Sequence, residues 1–138
     1  ATVPKLTYSQ LNSMVLPGVS EQEVIDVIRG LRGDCASGWD GIPPKLFKLA
    51  CPALAPVITY VCNLAIESGK FPNSLKKAIV HPIYKSGDRD SVNNYRPISV
   101  LPTLSKVLEK ILNKALSGFL DSNKIISDYQ FGFRKNIS

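Results

Sequence analysis

Residues 78–100 read AIVHPIYKSGDRDSVNNYRPISV, and this stretch predicts a β-hairpin around which the other elements can be arranged. Two short apolar runs, Ala78–Tyr84 and Tyr95–Val100, flank a polar segment rich in Ser, Gly, Asp and Asn. Apolar runs separated by turn-forming residues are typical of an antiparallel hairpin with a long loop. In such a hairpin Lys85 ends the first strand and Arg96 begins the second, so two cations lie on neighbouring strands.

Two like charges that face each other across a hairpin destabilise it slightly, so an anion between Lys85 and Arg96 would explain them better. Arg offers a planar fork of donors and Lys a compact charge, and together they suit a triphosphate. The alternative is two solvated cations at strand ends, and the residues alone leave both interpretations, anion binding and solvation, open.

The composition fits one globular domain or a piece of one. The 138 residues are 44% hydrophobic and 20% charged, and a chain of this length can bury a core. The net charge of +6 is uneven: residues 1–69 carry five Lys or Arg against six Asp or Glu, and residues 70–138 carry twelve against five. A basic half favours nucleic acid or nucleotide phosphate as a partner, although a solvated surface explains it equally well.

Helical periodicity on both sides of the hairpin predicts an α+β fold that is mainly helical. A capping-box sequence at Ser20 precedes apolar residues at helical spacing up to Leu31, which predicts a first helix. From Pro102 to Leu120 apolar residues recur every three or four positions, the strongest helical pattern in the chain, and predict a further helix. We expect an irregular lead over residues 1–19 and one folded unit over residues 20–138.

Between these helices the sequence predicts two further helices with a break. Pro44–Cys51 is a short helix, Pro52 interrupts it, and Leu54–Glu67 is a second helix that ends at Gly69. The apolar stripes of both are expected to be buried. No apolar run approaches the roughly 20 residues that cross a bilayer, so no membrane partner is expected.

The sequence offers little for catalysis. His81 has no sequence neighbour to act with as a general base, and Asp88 and Asp90 lie in a turn rather than on a rigid platform for metal ions. The three cysteines form no CxxC pair, which argues against a zinc site and fits a reducing intracellular compartment, cytoplasmic or nuclear.

Near the end of the chain, residues 130–134 read QFGFR and combine an amide, two aromatic rings, a glycine and a cation. Aromatic rings beside cations stack on nucleic-acid bases, and glycine permits close approach of a backbone. The same alternation also fits an edge strand with both rings in a core, so both interpretations stay open.

Four stretches in this order resemble the front part of the reverse transcriptase domain of non-LTR, LINE-type, jockey-like retrotransposons. Ala36–Pro44 is similar to the family's APGPDGIP segment, Asn63–Pro72 to its G-x-FP turn, and Ile79–Leu108 to its PIxKxGD…NYRPISLLP…SKVLE segment. Tyr129–Arg134 with Ser138 resembles YQFGFRxxxS. The sequence departs from the family at Trp39, where proline is usual.

The resemblance implies a fold and an activity. Members of the family copy RNA into DNA with a right-hand polymerase of fingers, palm and thumb, and these segments belong to the fingers and the start of the palm. By motif match, Lys85 and Arg96 contact the triphosphate of the incoming nucleotide. The residues expected beside the template and the nucleotide pocket are Gln130, Gly132, Phe133 and Arg134.

The resemblance also implies what this chain lacks. The family's catalytic aspartates lie further on, in an F-x-x-D strand and a YxDD hairpin, so no residue here is expected to be catalytic or to bind metal. Mg²⁺ is expected for the complete enzyme, with an RNA template, a DNA primer, deoxynucleoside triphosphate and the remaining palm and thumb as partners. The chain alone is expected to be inactive; the alternative is a retrotransposon-derived, non-catalytic module for RNA binding or protein interaction.

Overall fold

The computed structural model describes residues 13–127, 129, 130 and 132, and in this part of the chain it shows three α-helices and one β-hairpin. The elements are α1 (Glu21–Arg29), α2 (Pro44–Ser68), β1 (Ile79–Tyr84), β2 (Tyr95–Val100) and α3 (Thr103–Ser122). Short 3-10 turns at Asn73–Lys76 and Val92–Asn94 precede the two strands. This confirms the predicted α+β class with mainly helical content.

The predicted start of α1 is confirmed by its capping box. The Ser20 side chain accepts a hydrogen bond from the Glu23 N–H, and the Glu23 carboxylate accepts one from the Ser20 N–H at 3.0 Å. These bonds satisfy amide groups that a helix leaves unpaired in its first turn. They also lower the pKa of Glu23, first through the Ser20 backbone and then through its hydroxyl. The helix ends with Gly30 as its C-cap.

α2 runs without a break through Pro52 and Pro56, so the prediction of two helices separated at Pro52 is wrong. A proline inside a helix removes one hydrogen bond and costs about 3 kcal/mol. Both prolines are exposed, so water can reach the carbonyl groups that they leave unpaired. On the other face, Cys51, Ala55 and Ile58 are buried, and this continuous apolar contact favours one helix. Gly69 ends it with a left-handed conformation at φ 62°.

By length and composition, α2 is apolar enough to cross a membrane, with a mean hydropathy of 1.8 over an 18-residue window. The expectation that no apolar run is long enough does not hold, because α2 continues through Pro52 as one helix. Core helices of soluble proteins, which are mostly buried, satisfy the same criterion; here 22% of the window is buried, and one face of α2 packs against α1 and α3. The composition of α2 therefore assigns it no membrane role by itself.

The three helices share one apolar core. Its buried members are Val19, Val24, Ile28, Leu31, Phe47, Cys51, Ile58, Cys62, Leu75, Val107, Leu108 and Ile111. Asn63 joins the lead segment to this core, since its amide accepts from the Val19 N–H at 2.7 Å and donates to the Val19 carbonyl at 3.0 Å. Burial raises the pKa of the Cys62 thiol to about 11.

α3 is bound to the N-terminal part of the fold by three lysines that follow one another at four-residue intervals. Lysine Nζ atoms lie 3.4 Å from three oxygens, in the pairs Lys106 with the Ala36 carbonyl, Lys110 with the Gly30 carbonyl, and Lys114 with the Glu23 carboxylate. The order of these partners shows that α1 and α3 run antiparallel. These contacts link α3 to α1 and to the segment that follows it, while Lys110 and Lys114 stay exposed.

Candidate nucleotide and nucleic-acid site

The hairpin has a regular antiparallel register. Ile79 pairs with Val100, Ile83 with Arg96, and Tyr84 with Tyr95. One further backbone bond, from the Lys85 N–H to the Asn94 carbonyl at 2.8 Å, continues the ladder into the loop. The predicted strands are therefore confirmed.

This register brings the two predicted cations to the same face. Side chains alternate along a strand, so Lys85 lies on the face of Ile83, and Arg96 is paired directly with Ile83. Lys85 and Arg96 are thus diagonal neighbours, a relation that places two residues about 7–8 Å apart, with their Cβ atoms somewhat closer. Both are exposed, and neither forms an ion pair with a carboxylate of the residues that the structure describes.

The opposite face of the hairpin holds the loop. The Tyr84 and Tyr95 rings pack edge to face with centroids 5.7 Å apart, and the Arg89 guanidinium lies 5.2 Å from the Tyr84 ring centroid. The Tyr84 hydroxyl donates to the Gly87 carbonyl, and the Tyr95 hydroxyl donates to the Arg89 carbonyl at 2.9 Å. The loop is therefore folded against the tyrosine face, and the Lys85 and Arg96 face stays open.

Turn-forming hydrogen bonds also order the loop internally. Asp88 accepts from the Asp90 N–H at 3.0 Å, as the turn interpretation predicts for these carboxylates. The Asn94 amide donates to the Asp88 carbonyl at 2.6 Å. Gly87 has φ 94°, and a Cβ there would lie 2.7 Å from the Asn94 side chain, so the turn requires glycine at this position.

The exit from the hairpin is fixed by the segment that resembles APGPDGIP. A Cβ at Gly38 would lie 2.5 Å from the Pro102 nitrogen, so only glycine permits this approach of two backbones. The Thr103 hydroxyl, which is fully buried, donates to the Ile42 carbonyl at 2.7 Å. Asp40 accepts from the Ile42 N–H at 3.2 Å and orders this loop instead of capping α2.

Trp39, the departure from the family pattern, contacts the approach to the hairpin. Its indole N–H donates to the Ser74 carbonyl at 3.0 Å, and the Lys77 ammonium lies 5.7 Å from the ring centroid. Gly38 and Trp39 are adjacent, so one loop touches the polypeptide just before β1 and just after β2. We call the contacts of residues 38–42 with residues 74–77 and 101–103 the hairpin base. No local sequence pattern reports the contact of Trp39 with Ser74, 35 residues away.

The predicted template residues are only partly described. Gln130 donates from its backbone to the Ser127 carbonyl at 3.0 Å and from its side chain to the Gly132 carbonyl at 3.2 Å. Phe133 and Arg134 lie outside the described residues, so their roles stay predictions. Within the described range, His, Cys, Asp and Glu side chains form no group of three or more that could hold a metal ion.

Comparison with known proteins relates the chain to polymerases of mobile elements. It is 32% identical over 123 residues to the "RNA-directed DNA polymerase from mobile element jockey" of Drosophila melanogaster, a match that spans 88% of this chain. The probable RNA-directed DNA polymerases of transposon BS and transposon X-element from the same fly are 30% identical over 128 residues and 33% identical over 114 residues. The chain is a relative of the jockey-like, non-LTR retrotransposon RNA-directed DNA polymerases. This confirms the resemblance found in its motifs.

The relationship covers a small part of each polymerase. The matches span 13%, 14% and 12% of the jockey, BS and X-element proteins, against 88%, 91% and 81% of this chain. No family model matches the chain. The comparison thus shows similarity to a short part of each polymerase.

Proposed function

We propose that this chain is the fingers part of a retrotransposon reverse transcriptase and that its hairpin binds the triphosphate of the incoming deoxynucleotide. The observation that carries the proposal is the shared open face of Lys85 and Arg96, which the ladder aligns diagonally. Both cations lack a carboxylate partner among the described residues, and a charge-assisted bond to phosphate supplies one.

The remaining contacts of the site explain how the two cations keep their places. The tyrosine pair and Arg89 hold the loop on one face, so it does not cover the other. The hairpin base fixes the strands relative to the helices. In this proposal Gln130, Gly132, Phe133 and Arg134 contribute to the template side of the same pocket.

The chemistry of nucleotide transfer is assigned to other residues of the complete polymerase. Mg²⁺ supplies charge neutralisation at transferring phosphates when it is bound, and the described residues here offer no ligand group for it. The chain's own part is to bind and orient a polyanion. We therefore propose RNA template, DNA primer and deoxynucleoside triphosphate as partners, in an intracellular compartment.

The test is a complete polymerase that carries Lys85→Ala or Arg96→Ala. Each loss removes a charge-assisted phosphate bond, so we expect the apparent KM for deoxynucleotide to rise about ten-fold or more in primer extension. Lys70→Ala, an exposed cation away from the hairpin, is the matched control and should leave KM unchanged. An unchanged KM in both hairpin variants would show that the assignment is wrong.

The second candidate function is a non-catalytic module for RNA binding or protein contact. The observation that favours protein contact is the amount of apolar surface that the fold leaves exposed, including Leu49 at 81% and Val57 at 62%. A titration of the chain with single-stranded RNA across a salt series separates the possibilities. Binding that weakens steeply with salt supports a nucleic-acid role, and absence of binding at low salt favours a protein-contact module.

A further inference from the structure

α2 carries a second apolar stripe on the face that is turned away from the core. The sequence expectation that its apolar residues are buried holds for only one of its two faces. We call this second face the outer stripe, and its exposed members are Leu46, Leu49, Ala53, Val57, Tyr60 and Leu64. Leu49 is 81% exposed, Tyr60 68% and Val57 62%, which is unusual for large side chains on one helix.

The spacing of the outer stripe matches a helix-packing surface. Its members follow one another at intervals of three or four residues, as the contact positions of paired helices do. From Leu46 to Leu64 the stripe is about 27 Å long at 1.5 Å per residue. Contiguous apolar surfaces of this kind mark interaction sites, whereas single exposed apolar residues are ordinary.

The charges beside the stripe indicate the partner. Along α2, Lys45 and Glu67 lie at opposite ends of the stripe, and the helical repeat of 100° per residue puts both on the same flank. When two copies of a helix pair antiparallel about a two-fold axis, the same flanks meet with their ends reversed. Lys45 of each copy then lies beside Glu67 of the other, so one surface supplies both ion pairs.

We propose that α2 pairs antiparallel with α2 of a second copy of this chain through the outer stripe. In this arrangement Leu46 lies opposite Leu64, and Ala53 and Val57 lie nearest the two-fold axis. The small side chain of Ala53 permits close approach of the helices there. A lipid surface fits less well, because interfacial helices carry rows of Lys and Arg, and the charges of α2 are Lys45, Lys48 and Glu67.

Sedimentation analysis of the 138-residue chain across a concentration series tests the pairing. We expect the mass to rise from 15.1 kDa toward twice that value as concentration increases. Leu49→Glu should weaken self-association at least ten-fold and leave thermal unfolding of the monomer unchanged, because Leu49 lies outside the core. Leu116→Glu, a 45% exposed residue on α3, is the matched control and should self-associate like the unchanged chain.

Charge exchange and cross-linking test the antiparallel orientation. Lys45→Glu or Glu67→Lys alone should weaken pairing, and the double exchange should restore it. In a Cys35→Ser background, a short bismaleimide should join Leu46→Cys chains to Leu64→Cys chains but should not join Leu46→Cys chains to each other. Buried Cys51 and Cys62 remain protected in the folded chain.

Three results would overturn the proposal. They are a monomer at every concentration, self-association that Leu49→Glu leaves intact, and cross-links between like positions. Binding of the monomer to neutral lipid vesicles through the stripe would also overturn it, in favour of a membrane surface. None of these outcomes bears on the hairpin cations, since Lys85→Ala and Arg96→Ala lie outside the stripe and should self-associate normally.

Discussion

The helices and the hairpin of this protein are held in place by different forces. In the helical part, side chains such as Ile28 and Cys62 are completely buried. In the hairpin, both faces are exposed along β1, and apolar residues such as Val80 and Ile98 are 58% and 47% accessible. The helices thus gain stability from removal of apolar surface from water, and the hairpin gains little from that source.

This difference assigns a particular role to the hairpin base. A two-stranded hairpin is marginally stable by itself in water, so contacts at its ends must supply what a packed face does not. The Gly38 approach to Pro102 and the Thr103 bond to Ile42 hold one end. The Trp39 bond to Ser74 holds the segment before β1 at this same end, since Ile79 pairs with Val100. A rigid base with open faces suits a part that contacts a ligand or a further polypeptide segment.

The largest expected effect contrasts the two regions directly. Leu108→Ala in the core of α3 should lower the free energy of unfolding by about 3 kcal/mol, because it leaves a cavity among packed side chains. Ile98→Ala on β2 should cost less than about 1 kcal/mol, since its side chain is half exposed. Urea unfolding followed by circular dichroism measures both. Equal losses would show that the hairpin is buried in solution and would contradict the difference between the two regions.

A second change acts on the hairpin base alone. Gly38→Ala forces a Cβ to within 2.5 Å of the Pro102 backbone, and relief of that overlap should cost about 2 kcal/mol. Amide hydrogen exchange of β1 and β2 should accelerate more than that of α1. Gly33→Ala, which has no atom within 4 Å of the added Cβ, is the control and should leave exchange in the strands unchanged. Uniform acceleration across the whole chain would mean that the base is not a separate unit.

A third prediction concerns the pH dependence of the stability that a buried thiol of the core contributes. The Cys62 thiol titrates at about 11 in the folded chain against 9.0 for an ordinary thiol. Its contribution to stability is complete below pH 9 and is lost as pH rises toward 11, because the unfolded chain releases the proton first. The loss should be on the order of 2 kcal/mol. The difference between this chain and Cys62→Ala, measured by urea unfolding from pH 8 to 11, isolates it; a constant difference would contradict the prediction.

The smallest expected effect lies in the loop. Tyr95→Phe removes the hydroxyl that donates to the Arg89 carbonyl and should cost about 1 kcal/mol or less. Hydrogen exchange at the Lys85 N–H, which bonds to Asn94, should report this loss while core amides stay unchanged. Tyr60→Phe on the exposed face of α2 is the matched control. If both variants exchange alike, the hydroxyl does not order the loop.

Local patterns predicted the elements well because each is fixed by nearby residues. The hairpin strands follow from apolar runs and turn residues, and α1 follows from the Ser20 capping box. The break at Pro52 was wrong because a local penalty was outweighed by burial along a whole helix face. The bond between Asn63 and Val19 joins residues 44 positions apart, and no periodic pattern reports such a contact.

The sequence also predicted part of the candidate site. Sequence alone placed Lys85 and Arg96 on neighbouring strands, and the register then showed that they share one face. The exposure of the outer stripe was not predictable, because helical spacing is the same for a stripe that faces the core and one that faces outward. The partner of an apolar face depends on three-dimensional neighbours, which spacing does not encode.

The three lysines of α3 that contact other parts of the chain bear on how many cations are available to a phosphate. Lys114 pairs with the Glu23 carboxylate, so a phosphate would compete with that carboxylate for its charge, whereas Lys106 and Lys110 contact neutral carbonyl oxygens and keep their charge. The counterions bound to a nucleic acid are released only where Lys or Arg side chains of a protein neutralise its phosphates. The salt dependence of nucleic-acid binding should therefore report how many cations contact phosphate, a number that the net charge of +6 does not give.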